Sequence, residues 1–254
     1  MINSEFNLKN LPNRTEKPRE SGMTMVMDKG LSLNEVENFL TMATDYTDIV
    51  KLGFGTAVIT PNLKEKIKLY QDAGIPVYFG GTLFEAFVIR GQFEDYVRLM
   101  DQFDISHVEV SDGSIEISEE EKCGYIRTLA KNFTVLSEVG SKDTDKIIPP
   151  YKWINMMKAE IDAGAWKVIA EARESGTVGI FRKSGEVRSG LIEEILTKIP
   201  QETILWEAPQ KAQQVWFLKL YGSNINLGNI APNELIPLET LRLGIRGDSF
   251  NFWK

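Results

Sequence analysis

The segment IVKLGFG at residues 49–55 decides the fold, because it is a short apolar run that contains one lysine and ends in glycine. Runs of this kind recur along the chain with helical stretches between them. The others are TMVMDKG (24–30), PVYFGGT (76–82), HVEVSDG (107–113), TVLSEVG (134–140), WKVIAEARESG (166–176), TILWEAP (203–209) and INLGNIAP (225–232). Strands that alternate with helices indicate βα units and a parallel sheet. We therefore predict eight parallel strands.

The spacing of these runs predicts how the sheet closes. The first six are roughly 25–33 residues apart, which is the length of one βα unit. Eight such units usually close into a (β/α)8 TIM barrel. We expect its strands to begin near Thr24, Ile49, Pro76, His107, Thr134, Lys167, Ile204 and Ile225. No linker or change of composition divides the chain, so we expect one barrel domain over residues 21–254, preceded by a mobile N-terminal arm over residues 1–20.

Helix signals lie between the predicted strands. Ser32 and Glu35 have the spacing of a capping box, in which side chain and backbone bond each other reciprocally. We predict one helix over Phe84–Met100, although it contains Gly91. Glycines that would end helices in a left-handed conformation are Gly74, Gly164 and Gly222.

The composition excludes several classes of protein. A net charge of -7 with intermixed signs argues against a general nucleic-acid binder, and no apolar run approaches the ~20 residues of a membrane span. The polar start lacks the pattern of a signal peptide, so we expect a cytoplasmic protein. A single cysteine, Cys123, and a single histidine, His107, rule out cysteine-rich and histidine-rich metal sites. We expect Cys123 on a helix and His107 in the lower barrel.

Charged residues interrupt the apolar strands in a regular way. Alternate residues of a barrel strand face the interior, and by this parity a ring of charges points toward one mouth. Its members are Asp28, Lys51, Glu109, Glu138, Glu171, Arg173 and Glu207. Buried charges cost several kcal/mol each unless they are paired, so the alternative is a structural ion-pair network such as Lys51–Glu109 or Arg173–Glu207. Since structural charges need not cluster at strand ends, we interpret the ring as a catalytic mouth.

The residue types of the ring suggest its ligands. Excess carboxylate suits a hard cation such as Mg²⁺, with Glu138 and Glu171 as the first candidates and Asp28 and Asp112 as further ones. Lysine and arginine suit small oxyanions. Phosphate commonly binds in the loops after strands seven and eight of such barrels. This favours Gly228 with Asn229, and Arg246 with Gly247, although the latter pair could form a surface turn.

Several segments together resemble the phosphosulfolactate synthase family. They are KPRESGMTMVMDKG (17–30), VKLGFGTA (50–57), VYFGGTLFEAF (77–87), VEVSDGSIEI (108–117), LSEVGSKD (136–143) and LRLGIRGDS (241–249). They occur in order over about residues 13–250. The resemblance implies a TIM barrel that catalyses Mg²⁺-dependent addition of sulfite to phosphoenolpyruvate, giving (R)-2-phospho-3-sulfolactate. In archaea this product leads toward coenzyme M, and in some bacteria to sulfolactate.

The resemblance also assigns roles to particular residues. It implies that the lysine after the fifth strand, Lys142, is the general acid. The chemistry joins two anions, so positive charge is needed at the mouth. The candidates are Lys29, Lys51, Arg173 and Arg182, the last in a loop that is either a lid or a long connection.

Other functions remain open at this stage. A different phosphate-binding barrel lyase or aldolase could use the same mouth, with Lys51 forming a Schiff base. The same family includes plant heat-stress-associated proteins, so a non-enzymatic role is a third alternative. The sequence does not decide whether the chain forms a homo-oligomer.

Overall fold

The computed structural model describes residues 4–141 and 148–252. Its strands are β1 (Thr24–Asp28), β2 (Ile49–Leu52), β3 (Val77–Phe79), β4 (His107–Val110), β5 (Thr134–Val139), β6 (Lys167–Ala170), β7 (Ile204–Glu207) and β8 (Leu227–Ile230). Its α-helices are α1 (Leu33–Ala43), α2 (Leu63–Asp72), α3 (Gly81–Val88), α4 (Phe93–Gln102), α5 (Glu119–Leu129), α6 (Pro150–Asp162), α7 (Ser189–Leu196), α8 (Lys211–Tyr221) and α9 (Leu235–Arg242). None of these helices combines the length and apolar character that a membrane crossing requires.

The eight strands form one parallel sheet in the order β3-β2-β1-β8-β7-β6-β5-β4. Strand β1 pairs with β8, and β3 and β4 contact each other, so the sheet is a nearly closed barrel. The predicted TIM barrel is confirmed. Six strands begin at the predicted residue, whereas β3 begins at Val77 and β8 at Leu227, slightly later than expected.

Alternation along the strands separates two apolar layers. One layer fills the barrel and consists of Met25, Ile49, Tyr78, Leu136, Ile169 and Leu205. The residues between them in sequence, such as Val26, Val50 and Val168, pack against the helices outside. Each fully buried side chain of this type stabilises the fold by about 1.5–3 kcal/mol relative to an exposed one. Side chains along a strand face inward at every second residue. The residue two positions after each barrel-filling residue therefore lies at the mouth of the barrel.

The helix signals are confirmed except in one place. Ser32 and Glu35 form the predicted capping box at the start of α1. The single helix predicted over Phe84–Met100 is wrong, because two helices, α3 and α4, occupy this region. Gly91 lies between them with φ +67°, a left-handed value that ends a helix.

The second half of the N-terminal arm makes several polar contacts with the barrel. The Arg14 guanidinium lies 2.8 Å from the Glu239 carboxylate on α9. Arg19 lies 2.9 Å from Asp48, just before β2. Lys17 donates hydrogen bonds to two main-chain carbonyls, those of Thr44 and Thr47. These cations bond acceptors at the end of the barrel opposite the mouth.

Candidate active site

Lys51 on β2 lies at the centre of the predicted ring of charges. Its side chain is buried, and its Nζ lies 3.0 Å from Glu109 Oε2, 3.4 Å from Glu207 Oε1 and 3.5 Å from Glu138 Oε2. The three carboxylates come from β4, β7 and β5. The predicted Lys51–Glu109 pair therefore exists, but it belongs to a larger cluster that spans the barrel. We call this cluster, with Glu171, the mouth cluster.

Main-chain N–H groups hold the carboxylates of the mouth cluster in place. The N–H of Gly81, at the first turn of α3, donates to Glu109 Oε1 at 2.6 Å. A Cβ on Gly81 would lie 2.4 Å from the Cβ of Ser111, so only glycine lets the helix approach this closely. The N–H of Ala172 donates to Glu207 Oε2 at 2.9 Å. These bonds position the carboxylates but leave the cluster with a net negative charge.

Burial and mutual repulsion change the protonation of these groups. Burial raises the pKa of Glu207 to about 7, against the lowering effect of Lys51. Burial also raises the pKa of Glu109. Burial alone would lower the pKa of Lys51, but Glu109 and Glu207 outweigh it and raise this pKa well above the ordinary value. Lys51 therefore stays cationic, whereas burial shifts Glu109 and Glu207 toward their protonated forms.

Three carboxylates of the mouth cluster could hold a metal ion together. One oxygen each of Glu138, Glu171 and Glu207 lies within 4.8 Å of the others, and all three residues are buried. Glu138 and Glu171 are the two first candidates from the sequence, and Glu207 joins them from β7. Hard oxygen donors of this kind bind hard divalent cations.

A cavity of about 230 Å³ opens above the mouth cluster. Arg173 and Asn229, both predicted to bind substrate, line it. Asn229 on β8 is 4% exposed, and its Oδ1 has no hydrogen-bond partner among the described residues. Gly228 is buried in β8 below this point, where a Cβ would lie 2.8 Å from Met25 Cε. The Arg173 guanidinium, from the loop after β6, and the Asn229 carboxamide, from β8, thus both reach the cavity, which suits an anion.

Asp28 is not at the mouth, and its prediction as a metal ligand is wrong. It follows Met27 and therefore faces the helices. Its Oδ2 lies 2.7 Å from Lys66 Nζ and accepts a hydrogen bond from the Tyr70 hydroxyl, both on α2. Its Oδ1 accepts the N–H of Gly30, at the start of the following loop. Asp28 braces that loop.

Asp112, at the exit of β4, is likewise paired with a lysine and is not part of the group of Glu138, Glu171 and Glu207. Its Oδ1 lies 2.9 Å from Lys122 Nζ on α5. The same ammonium lies 2.8 Å from Glu160 on α6 and donates to the main-chain oxygen of Glu138 at 2.6 Å. All three donors of the buried ammonium are thereby satisfied.

Four other predicted residues lie outside the cavity lining. Lys29 is exposed in the loop after β1, and Arg182 is exposed beside Glu186 in the loop after β6. The turn with Arg246 and Gly247 follows α9, which ends at Arg242, and not a strand of the barrel. Arg246 lies 3.7 Å from Asp248, whose carboxylate also binds Lys211 at 2.7 Å. Lys142 lies outside the described residues.

The single histidine and cysteine occur where expected. His107 begins β4, away from the mouth, with its ring against Trp166. Burial lowers the pKa of His107 to about 4. Cys123 is buried on α5.

Sequence reasoning missed Glu85 and Ser111. Glu85 on α3 is 2% exposed, and its Oε1 accepts the Ser111 hydroxyl at 2.7 Å and the Ser114 N–H at 3.1 Å. The Ser111 oxygen is also 2.8 Å from Glu138 Oε1. Glu85 thus connects α3, the loop after β4 and the mouth cluster. The available signal was that Glu85 is the only charge in the apolar helix GTLFEAFV.

Fold and site together define the class of protein. A parallel barrel with buried carboxylates, a lysine and an open cavity lined by charged groups of both signs at the C-terminal ends of its strands is a TIM-barrel enzyme. The particular family follows from comparison with known proteins. The model of the (2R)-phospho-3-sulfolactate synthase (ComA) family matches residues 12–248, so the chain belongs to this family.

Curated relatives agree with this assignment. The phosphosulfolactate synthase of Bacillus subtilis is 40% identical over 97% of this chain and 99% of its own length. That of Methanocaldococcus jannaschii is 44% identical over 91% of this chain and 94% of its own length. A more distant relative, Protein HEAT-STRESS-ASSOCIATED 32 of Arabidopsis thaliana, is 24% identical over 90% of this chain and 88% of its own length.

Solved structures support the fold alone. The crystal structure of 3-hexulose-6-phosphate synthase from Salmonella typhimurium has a TM-score of 0.58 with this chain at 14% identity. It covers 88% of this chain and 100% of its own length. At this identity the similarity extends to the barrel and carries no argument about the reaction.

Proposed function

We propose that this enzyme catalyses the Mg²⁺-dependent addition of sulfite to phosphoenolpyruvate, giving (R)-2-phospho-3-sulfolactate. Membership of the family supports the overall reaction. The observation that carries the proposal in the structure is the buried group of Glu138, Glu171 and Glu207, whose oxygens lie within 4.8 Å of one another beside Lys51. A divalent cation held by such a group would stabilise the negative charge that develops on a carboxylate substrate.

The residues present fit a magnesium ion. All three candidate ligands offer carboxylate oxygen, which Mg²⁺ prefers over nitrogen or sulfur. Burial raises the pKa of Glu207 to about 7, with smaller contributions from Glu138 and Glu109, and a divalent cation bound here would favour its ionised form. When bound, such a cation supplies electrostatic stabilisation of the charge that develops on the substrate carboxylate.

The chain itself has to bind two anions and deliver one proton. In the proposed reaction the sulfite sulfur forms a bond to the methylene carbon, and the C=C electrons move onto the substrate carboxylate. A proton then adds to the carbon that bears the phosphate. Arg173 and Asn229 line the cavity where the anions would bind, and Lys51 remains cationic below it. We propose Lys142 as the proton donor, since a positioned cationic acid suits this step.

A Schiff-base aldolase is less well supported. A lysine that attacks a carbonyl must be neutral, and such lysines have lowered pKa values. The pKa of Lys51 is instead raised by Glu109 and Glu207, after burial has acted in the opposite direction. Borohydride trapping with a carbonyl substrate tests this alternative directly, and covalent labelling of Lys51 would favour it.

A non-enzymatic role is also less well supported. A binding scaffold has no need of four buried carboxylates around one lysine, because burying them costs free energy. Incubating the protein with phosphoenolpyruvate, sulfite and Mg²⁺, with product detection by mass, tests the proposal. Formation of phosphosulfolactate is expected, and no product at any divalent cation concentration would contradict it.

A further inference from the structure

Left-handed backbone is unevenly distributed over residue types in this protein. Among the described residues, the non-glycine residues with positive φ are Asn7, Asn10, Phe54, Asn62, Asp104, Arg173 and Asn229. Asparagine and aspartate tolerate this conformation, whereas a bulky side chain rarely adopts it. Phe54 and Arg173 are therefore the two outliers. Both line the cavity above the mouth cluster.

Phe54 lies in a tight turn directly after β2. Its backbone has φ +54° and ψ +2°, and Gly55 follows with φ +90°. The turn sequence is Gly53-Phe54-Gly55, so glycine flanks the strained position on both sides but does not occupy it. Strained residues persist where the surrounding structure holds them, and they concentrate at functional sites. The side chain at position 54 must therefore contribute something that glycine would not.

Phe54 contributes to the apolar part of the cavity lining. The described lining consists mainly of charged and polar groups or glycine, and Met27 and Phe54 are the apolar side chains among them. Phe54 is 43% exposed and is not part of the buried core. Met27 on β1 is the register partner of Lys51. These apolar side chains and the cationic and carboxylate groups thus border the same cavity.

We propose that Phe54 is a specificity-determining residue whose ring packs against the methylene end of phosphoenolpyruvate. This inference rests on the proposed function. Phosphoenolpyruvate has one apolar end, its methylene carbon, and two charged groups. Contact of that end with Phe54 and Met27 leaves the carboxylate and phosphate toward Arg173, Asn229 and the mouth cluster. The left-handed turn holds the ring over the cavity, and sulfite attacks the carbon that the ring orients.

The test compares wild type with Phe54→Ala, Phe54→Gly and Phe54→Tyr. Loss of the ring should raise KM for phosphoenolpyruvate about 10–100-fold, the usual effect of an apolar contact with a substrate. KM for sulfite should change less than about twofold, since no contact with sulfite is proposed. Phe54→Tyr should stay close to wild type. Ile59→Ala is the matched control, because Ile59 is in the same segment, is 83% exposed and does not line the cavity.

Thermal unfolding tests the backbone separately from the ring. Phe54→Gly should melt about 2–4 °C above Phe54→Ala, because both lack the ring but only alanine retains a Cβ in the left-handed conformation. Equal melting temperatures of the two variants would contradict the backbone strain inferred at position 54. Wild-type kinetics in Phe54→Gly, or equal increases of KM for both substrates, would overturn the role of the ring.

Binding of phosphoenolpyruvate, measured by calorimetry, separates this inference from the proposed reaction. If wild type binds phosphoenolpyruvate but does not turn it over with sulfite, the proposed reaction fails. The role of Phe54 then still requires that Phe54→Gly bind phosphoenolpyruvate at least tenfold more weakly than wild type. Equal binding by both proteins, or no binding by wild type, overturns the inference.

Discussion

Lys51 Nζ lies 3.0 Å from Glu109 Oε2, although the two residues belong to β2 and β4 and are separated by β3. The contact is possible because both side chains point to the barrel axis, where residues of non-adjacent strands meet. Glu207 and Glu138 contact the same ammonium. One cation, the Lys51 ammonium, therefore contacts carboxylates from three strands. Because the carboxylates outnumber this cation, the cluster suits a divalent metal ion.

Removing one of the proposed metal ligands should weaken metal binding. Glu138→Gln or Glu171→Gln replaces a carboxylate with a neutral amide, so the affinity for Mn²⁺ should fall by at least tenfold. Titration calorimetry with Mn²⁺ measures this without any assay of activity. The activity of both variants should need more Mg²⁺ than wild type. Full activity of wild type in excess chelator would contradict the metal role.

Asp112→Asn provides the control for these variants. Asp112 bonds Lys122 and not the mouth cluster, so Mn²⁺ affinity should stay within about threefold of wild type. The free energy of unfolding should fall by about 1–3 kcal/mol, since the buried Lys122 loses a charged partner. Urea unfolding measures this difference. A loss of Mn²⁺ affinity equal to that of Glu138→Gln would return Asp112 to the ligand set.

Lys142→Ala should lower turnover by about 10²–10⁴-fold, the usual contribution of a positioned proton donor. Arginine at this position should not restore the rate, because its pKa is too high for it to give up a proton. Steady-state kinetics of both variants decide the role. A near-normal Lys142→Arg enzyme, with a loss in Lys142→Ala that appears in KM and fades at high salt, would make Lys142 an anion-steering residue.

Asn229→Ala and Arg173→Ala should raise KM for phosphoenolpyruvate about tenfold or more. Both residues line the cavity, and a hydrogen bond to a charged group contributes about 1.5–3 kcal/mol. Arg246→Ala should have little effect, because Arg246 pairs with Asp248 and does not line the cavity. Initial rates at varied phosphoenolpyruvate measure all three variants. If Arg246→Ala raised KM for phosphoenolpyruvate more than Asn229→Ala and Arg173→Ala, this would favour the anion site that the sequence predicted around Arg246.

The pH dependence of stability should contain a contribution from His107. Burial lowers its pKa from 6.5 to about 4, so between these pH values the unfolded state binds more protons than the folded state. Stability from this group is complete above pH 6.5 and is lost as the pH falls toward 4. In His107→Gln the free energy of unfolding should therefore depend less on pH between pH 4 and 6.5 than in wild type. The chain has one histidine, so its NMR titration is unambiguous, and a folded-state pKa near 6.5 would refute the prediction.

The sequence alone predicted the barrel and most of the mouth. Strand parity is a local property with a period of two, so the inward positions of Lys51, Glu109, Glu138, Glu171 and Glu207 could be read without knowing any contact. The same rule, applied strictly, makes Asp28 an outward residue, since Met25 and Met27 face inward. The prediction for Asp28 failed because it treated every charge at a strand exit as part of the mouth.

Only the tertiary structure decided which partner each charge has. Asp28 pairs with Lys66, 38 residues further along the chain, and Asp112 pairs with Lys122, 10 residues further along. Glu85 on α3 is connected to the mouth cluster through the Ser111 hydroxyl. The sequence pattern had predicted α3 and α4 as a single helix. Period and spacing fix the direction of a side chain, because these depend on backbone geometry alone. Pairing depends on distances between elements, which exist only once the barrel has closed.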